Sequence, residues 1–372
     1  NIVYADVEGN IGYWVTGKTP IRSKGTGAFP QKAWTGEYDW VGSVPFEEMP
    51  HTLNPKRGYV VSANHKIVDD DFPYFMGDNW MNGYRARRIE EMLAAKKSWK
   101  LADFFAIQMD VKCIPGLEFA SHYKKVTAPE NAKVALAWKA LCDWDGELGL
   151  ESVGGTIYQV CKHEMVYLLY EVAAKGAAGL KWLMGMGLNP VFAKVTEFHG
   201  KETVALLEML EKGDSPLLEL AGGKEKVMQM SMLAAVRYLQ NALGQNQEDW
   251  HWGRLHKVEF QHSMAAKAPM DYVFNVGPFP IAGDTDTVCQ TSIHPNSAYL
   301  ADLALPSYRQ IIDLADFNRS KWVMPPGQSG QLGHPNYDGQ VDAWIKGRYF
   351  PMLWNRKDIE NAAKIIAHLQ PF

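Results

Sequence analysis

The hydrophobic pattern along the chain changes twice and so divides it into three parts. In the first part, residues 1–90, apolar and polar positions alternate over short stretches. Ile11–Thr16 alternates with the period of a half-buried strand, and Glu8-Gly9 separates it from a similar stretch, Asn1–Asp6. This spacing predicts a β-hairpin. Residues 17–57 are rich in Gly, Pro and Trp and are expected to form long, ordered coil.

The second part, residues 91–245, has the period of helices. Two apolar stripes follow the i, i+3, i+4, i+7 spacing: Val134, Ala137, Trp138 and Leu141, then Met228, Met232, Ala235, Val236 and Leu239. Pro129 suits the start of the first helix, and Gly244 suits the end of the second. Methionines can line a ligand groove, but in such a stripe they more often pack in a core. Both stripes therefore predict buried helix faces.

In the third part, residues 246–372, short strands and coil return. One face of a predicted strand carries Tyr308, Gln310, Ile312 and Leu314. A final helix is predicted to carry Ile359, Ala362, Ala363 and Ile366. The order strands, helices, strands predicts an α+β fold in which the helical block is inserted or packs against a sheet. The three parts, 1–90, 91–245 and 246–372, are expected to form one interleaved domain.

The composition of the chain limits the classes of partner that it is expected to bind. It has 372 residues, with 38 Lys and Arg against 42 Asp and Glu, and a net charge of −4. No basic face suggests a nucleic-acid partner, and no apolar run of about 18 residues predicts a membrane span. The cysteines are too widely spaced for a zinc pair or a disulfide framework, and we interpret them as small buried residues: Cys113, Cys142, Cys161 and Cys289.

The polar stretch between residues 61 and 93 is the strongest candidate for chemistry. Asn64 follows a short β-prone stretch, Tyr59–Ser62, and Arg85 opens an arginine-rich helix. An amide at a strand end can donate its N–H to a developing oxyanion, and a guanidinium supplies a fixed positive charge. Neither side chain is a nucleophile. The pair is therefore a candidate for oxyanion stabilisation, and the alternative of a polar loop in which Asn64 merely caps a turn stays open.

Histidines offer a different, metal-based chemistry. His65 precedes three aspartates, Asp69–Asp71, but their spacing matches no transition-metal template, and a solvated acidic loop is the competing interpretation. One of these carboxylates could still contribute to a calcium site, which takes oxygen ligands from several segments. His251, His256 and His262 lie among aromatic residues, which favours hydrogen-bonded packing histidines over a zinc site.

A series of motifs runs in a fixed order along the chain. They are YADVEGNIGYWVTGKTPIR, NPKRGYVVSANH, DFPY, GYRARRIEEML, LCDWDGELG, WHWGRLHKVEF, SYRQIIDLAD, PPGQSG and YFPMLW. The ordered set extends from Asn1 to about Arg356. It resembles the penicillin acylase family of N-terminal-nucleophile hydrolases, and the order makes the resemblance specific although each motif alone is weak.

The resemblance implies part of an αββα sandwich with the large helical block outside it. It also implies an amidohydrolase that cleaves the acyl group from a β-lactam or another N-acyl amide. In that family a precursor cuts itself into an alpha and a beta chain, and the beta chain begins with a serine nucleophile whose own α-amine is the base. Carried over to this chain, Asn64 is the oxyanion asparagine and Arg85 is the arginine beside that amine.

The N-terminal serine is absent from this chain, which resembles the C-terminal part of a beta chain and is expected to be inactive alone. The expected partners are a small N-acyl substrate, the N-terminal part of the beta chain and an alpha chain of the same precursor. The chemistry is expected to need no cofactor, and a structural calcium ion is compatible with the resemblance. The family also implies export to the periplasm or the medium.

Two other functions stay open at the level of the sequence. The first is a non-catalytic homologue that uses the fold as a binding scaffold. The second is a metal-dependent hydrolase that uses His65 and Asp69–Asp71. The identity of the residue at the true start of the beta chain would distinguish a non-catalytic scaffold from an amidohydrolase. Metal analysis of the purified protein would distinguish a metal-dependent hydrolase from an amidohydrolase with a serine nucleophile.

Overall fold

A computed structural model of the chain describes residues 1–176, 179, 201–293, 299–302 and 304–370. These residues form helices and small antiparallel sheets, so the predicted α+β class is confirmed. Within these ranges, no helix is both long and apolar enough to cross a membrane. Short 3₁₀ turns lie at Ala33–Thr35, Phe46–Glu48, Gln247–Asp249, Ser263–Ala265 and Phe317–Arg319.

Short strands occupy the first part of the chain. They are β1 (Ile2–Ala5), β2 (Ile11–Trp14), β3 (Pro20–Arg22), β4 (Trp40–Ser43) and β5 (His51–Leu53). β1 and β2 form the predicted hairpin, with Ile2 opposite Trp14, and β5 pairs with the other edge of β2. β3 pairs with β4. The expectation of coil over residues 17–57 is therefore wrong where β3, β4 and β5 form, because each of these strands pairs with a segment that is distant in sequence.

Helices fill the middle of the chain. They are α1 (Tyr84–Ala94), α2 (Leu101–Gln108), α3 (Ile114–Tyr123), α4 (Ala132–Asp143), α5 (Val153–Ala173), α6 (Glu202–Lys212), α7 (Pro216–Leu220) and α8 (Lys224–Leu243). α5 packs along α8, and α4 contacts both. The apolar stripes predicted on α4 and α8 are buried, which confirms these helix faces. α4 begins at Ala132 and not at Pro129, because the Asn131 side chain accepts the N–H groups of Lys133 and Val134 and caps the helix.

Strands and short helices return in the last part. They are α9 (Trp252–Leu255), β6 (Lys257–Phe260), α10 (Met270–Phe274), β7 (Val276–Pro280), β8 (Arg309–Ile311), β9 (Lys321–Val323), α11 (Val341–Ile345), β10 (Phe350–Pro351) and α12 (Arg356–Ala362). β6 pairs with β7, and β9 lies between β8 and β10. The face of β8 that is buried carries Arg309 and Ile311, whereas Tyr308 and Ile312 are exposed. The predicted apolar stripe on the last helix does not pack, because α12 ends at Ala362 and has no buried residue.

The position of α1 matters for the candidate site, because α1 carries Arg85. α1 contacts α3, and α3 in turn contacts α4, α5 and α6 of the helical block. α1 therefore lies against the helical core. Arg88 on α1 also donates to both carboxylate oxygens of Asp110, at 2.9 and 2.7 Å. Such a two-point pair fixes orientation as well as distance. The helix that carries Arg85 is thus held by packing and by a directional ion pair.

His256 is a core residue directly after α9. Its ring is fully buried and stacks on Trp252, with the ring centroids 4.6 Å apart. Its Nδ1 lies 2.7 Å from the carbonyl oxygen of Tyr299, and its Nε2 lies 2.9 Å from Oγ1 of Thr291. Both ring nitrogens therefore have hydrogen-bond partners in the protein. The interpretation of His256 as a packing histidine is confirmed.

The pH dependence of stability tests this packing. Burial lowers the pKa of His256 to about 4, whereas an unfolded histidine titrates near about 6.5. Unfolding takes up a proton between these values, so the stabilisation is complete above about pH 6.5 and is lost towards pH 4, at about 1.4 kcal/mol per pH unit. We expect His256→Gln to be destabilised at about pH 7.5, and its deficit against the wild type to be smaller by on the order of 2 kcal/mol at about pH 5. Denaturant unfolding of both chains measures this, and an equal deficit at both pH values contradicts it.

Candidate active site around Asn64 and Arg85

Asn64 lies in a turn of the coil that precedes α1. The expectation of a β-prone stretch at Tyr59–Ser62 is wrong, since these residues pair with no neighbouring backbone and form no strand. Asn64 has a φ of 62°, in the left-handed region that asparagine adopts more readily than most residues. Its carbonyl oxygen accepts the N–H of Met81 at 2.9 Å, which closes the coil onto itself. The side chain of Asn64 is held at the surface by this conformation.

Arg85, the second residue of α1, contacts Asn64 directly. Its Nη2 donates to Oδ1 of Asn64 at 3.0 Å and to the carbonyl oxygen of Ala63 at 3.1 Å. Arg85 is only 9% exposed, so these acceptors replace much of the water that its guanidinium would otherwise bind. The two residues that the sequence indicates as a pair are therefore neighbours in the fold.

This contact determines which way the Asn64 amide faces. A guanidinium has donors only, so the amide must turn its oxygen towards Arg85. The amide nitrogen, Nδ2, then lies on the other side of the exposed group. No side-chain or backbone acceptor for Nδ2 is found among the residues that the structure describes. Nδ2 is thus a preoriented donor that can bind an oxygen atom from outside.

The guanidinium of Arg85 keeps its positive charge in this environment. Burial lowers the pKa of Arg85, and the nearby carboxylate of Asp286 opposes that shift. Arginine titrates so far above neutral pH that it stays protonated in proteins. Because water screens a buried charge weakly, Arg85 raises the electrostatic potential at the adjacent amide. The pair can therefore stabilise negative charge that develops on an oxygen bound to Asn64.

The acidic stretch after His65 does not form a metal site with it. Asp69, Asp70 and Asp71 are exposed, and Asp70 pairs with Lys66 four residues earlier. His65 is half-buried, and its Nδ1 accepts the N–H of Ala63 at 3.4 Å, so it supports the turn that contains Asn64. Across the described part of the chain, no three His, Cys, Asp or Glu side chains converge as metal ligands. The solvated-loop interpretation of this stretch therefore fits the fold.

The other two histidines of the aromatic segment also have local partners. His251 lies 2.6 Å from a carboxylate oxygen of Glu151. His262 stacks on Phe274, with ring centroids 5.1 Å apart, and its Nδ1 accepts the N–H of Met264 at 3.1 Å. Each histidine thus packs or hydrogen-bonds separately.

Two further polar residues near the pair are missed by the sequence pattern. Nδ2 of Asn82 donates to Oδ1 of Asp286 at 2.6 Å, and Asp286 is only 3% exposed. In the sequence, Asn82 stands before a predicted helix and Asp286 stands among threonines, where both resemble ordinary turn residues. The available signal was the pair Asp284 and Asp286 in a stretch of few other charges, since closely spaced buried carboxylates require partners.

Comparisons with known proteins show which family the chain belongs to. The family model described as penicillin amidase matches residues 1–361. Acyl-homoserine lactone acylase QuiP of Pseudomonas aeruginosa is 27% identical over an alignment of 390 positions, which covers 97% of this chain and 45% of that protein. Penicillin acylase 2 proenzyme of Pseudomonas sp. strain SE83 is 28% identical over 359 residues, which cover 96% of this chain and 44% of that protein. The chain therefore spans less than half the length of these curated relatives.

A solved structure shows the same fold. Thermostable penicillin G acylase from Alcaligenes faecalis superposes with a TM-score of 0.64 over 100% of this chain and 67% of that chain, at 19% sequence identity. At such low identity the likeness concerns the fold alone. The match of the family model to nearly the whole sequence is the stronger finding, and by it this chain belongs to the penicillin amidase family.

Proposed function

We propose that this chain is part of an amidohydrolase that removes the acyl group from a β-lactam or another N-acyl amide. Family membership and relatives named as penicillin and acyl-homoserine lactone acylases support the proposal. The observation that carries it is the contact of Arg85 with Asn64, which leaves an amide donor facing outwards. Assay of the assembled enzyme with an N-acyl β-lactam and an N-acyl-homoserine lactone, side by side, tests the function and ranks the two substrate classes.

In the proposed mechanism, the nucleophile is an N-terminal serine outside these 372 residues. Its hydroxyl attacks the amide carbonyl while its own α-amine takes the proton. An α-amine titrates at about 7.7–8.0, so it is a competent base near neutral pH. The carbonyl oxygen becomes negative and accepts a hydrogen bond from Nδ2 of Asn64. The amine half then leaves with the proton, and water releases the acyl group from the serine.

Arg85 has two roles in this proposal. It fixes the orientation of the Asn64 amide through Oδ1. Its charge also favours the neutral, basic form of an amine placed near it, because a protonated amine beside it would be repelled. The serine, the rest of the beta chain and an alpha chain from a self-cleaving precursor complete the site in this proposal. A structural calcium ion and export from the cytoplasm are further parts of it.

The Asn64→Ala variant tests the oxyanion role. A donor that acts mainly in the transition state affects kcat and kcat/KM together, so we expect both to fall by about 10²–10³-fold with KM nearly unchanged. The measurement is steady-state kinetics of the assembled enzyme together with its melting temperature. The matched control is Asn54→Ala, because Asn54 also has a positive φ, of 48°, and bonds Asn10 and Ile11 away from Arg85.

The control should lose stability and keep its kcat. Alanine at a positive φ costs about 1–2 kcal/mol in either position, so the two variants carry a similar backbone penalty. If Asn64 only caps a turn, both variants will show lower melting temperatures and normal kcat per folded molecule. A folded Asn64→Ala enzyme with full kcat would exclude the oxyanion role.

The Arg85→Lys variant tests orientation separately from charge. Lysine keeps the positive charge but lacks the planar guanidinium that donates to Asn64 and Ala63 together. A hydrogen bond to a charged group contributes about 1.5–3 kcal/mol, so we expect kcat to fall by roughly 10- to 100-fold. Arg87→Lys is the control, because Arg87 is exposed and pairs with Glu91 on α1 and Glu118 on α3, and not with Asn64. Equal kcat values and equal pH profiles for Arg85→Lys and the wild type would refute the orienting role.

A further inference from the structure

Asp286 connects the coil before α1 to the helical block. It lies in the loop after β7, and its carboxylate is almost fully buried. Oδ1 accepts Nδ2 of Asn82 at 2.6 Å, and Oδ2 accepts Oγ1 of Thr203, on α6, at 3.1 Å. The two oxygens of one carboxylate thus hold two segments that are far apart in sequence.

Asn82 links Asp286 to the segments that carry Asn64 and Arg85. Its Oδ1 accepts the N–H of Tyr84, the first residue of α1, at 3.3 Å, so Asn82 also supports the start of the helix that carries Arg85. The residue before it, Met81, donates its N–H to the carbonyl oxygen of Asn64 at 2.9 Å. Asn82 is therefore one residue from Met81, which holds the Asn64 turn, and three residues from Arg85.

The loop that presents Asp286 is itself tightly bonded. Oδ1 of Asp284 accepts the N–H groups of Asp286 and Thr287 at 2.8 and 2.9 Å, and the N–H of Asp284 donates to Oγ1 of Thr287 at 2.9 Å. Gln159, on α5, donates to the other oxygen of Asp284. A loop with this many directional bonds presents the Asp286 carboxylate in one orientation.

The charges of the cluster are partly balanced inside the core. Lys162, on α5 and only 8% exposed, donates to Oγ1 of Thr203 at 3.4 Å. Burial lowers the pKa of Lys162, but the carboxylates of Asp286, Glu202 and Asp284 outweigh that effect and raise it overall. Burial, and then the charge of Asp286, raise the pKa of Asp284 to about 6. Asp286 therefore lies close to a second cation besides Arg85.

In a buried charged cluster of this kind, the cost of desolvating the charges can exceed the attraction between them. Well-packed apolar residues of similar volume often stabilise a core as much or more, because they avoid the desolvation of charges. What apolar residues cannot supply is a directional bond to Asn82. The distinctive contribution of Asp286 is therefore geometric.

We infer that Asp286 is a positioning residue for the Asn64–Arg85 pair and acts on it through the side chain of Asn82. This inference rests on the proposed function, because the pair is taken to stabilise the oxyanion. Asp286 touches neither member of the pair in a hydrogen bond and is not a catalytic residue. Its effect is to keep Asn82, and with it the start of α1 and the Asn64 turn, in register.

The Asn82→Ala variant breaks this connection and leaves Asp286 with Thr203. We expect kcat of the assembled enzyme to fall by roughly 10- to 100-fold, as for a small misplacement of catalytic groups, with KM within about twofold. We also expect faster hydrogen–deuterium exchange at the Met81 amide, which is bonded to Asn64. The matched control is Asn131→Ala, which removes the cap of α4. It should lower stability without changing kcat or exchange at Met81.

A double variant ties the effect to Asp286. If Asp286 acts through Asn82, adding Asp286→Asn to Asn82→Ala should lower kcat by less than the product of the two single effects. Fully multiplicative losses would overturn the inference, and so would unchanged exchange at Met81 in Asn82→Ala.

The two readouts separate this inference from the function on which it rests. Faster exchange with a lower kcat supports both. Faster exchange with normal kcat overturns the positioning role and leaves the proposed function intact. A wild-type assembly that hydrolyses no N-acyl substrate overturns the proposed function, whatever the exchange data show.

Discussion

The hydrogen bond from the buried guanidinium of Arg85 to Oδ1 of Asn64 is the constraint on which the candidate site depends. A guanidinium that is only 9% exposed must find acceptors in the protein, and the Asn64 amide and the Ala63 carbonyl supply them. Because Arg85 can only donate, the amide has one compatible orientation. Because the buried Arg85 guanidinium takes the Asn64 oxygen as its acceptor, the N–H groups of the Asn64 amide face the surface.

The position of Arg85 in turn depends on packing and on buried polar contacts. α1 lies on α3, which belongs to the helical core, and Arg88 pairs with Asp110 at the side of that core. Asp286 and Asn82 add a second connection at the start of α1. Apolar contacts fix which surfaces meet but leave small rotations free, whereas hydrogen bonds restrict angles. The site therefore uses the core for location and the polar network for orientation.

Family, fold class and helix faces could be predicted from sequence because each leaves a local or ordered signal. The stripes through Trp138 and Met232 are buried as their 3.6-residue period predicts. The strands within residues 17–57 could not be predicted, because a strand of three or four residues depends on its partner. The alternation of Tyr308, Gln310 and Ile312 did not reveal which face of β8 is buried, because that also depends on the strand that pairs with β8.

The sequence by itself determined the penicillin amidase family, the coarse division into a strand part, a helical part and a second strand part, and the choice of Asn64 and Arg85 as the residues of interest. Only the tertiary structure decided that these two side chains touch, which way the amide faces, and that Asp286 lies behind them. Asn82 and Asp286 are 204 residues apart, and no local pattern encodes a hydrogen bond over that separation. Direction, burial and charge at a site arise from the partners that folding brings together, and those partners exist only in the folded chain.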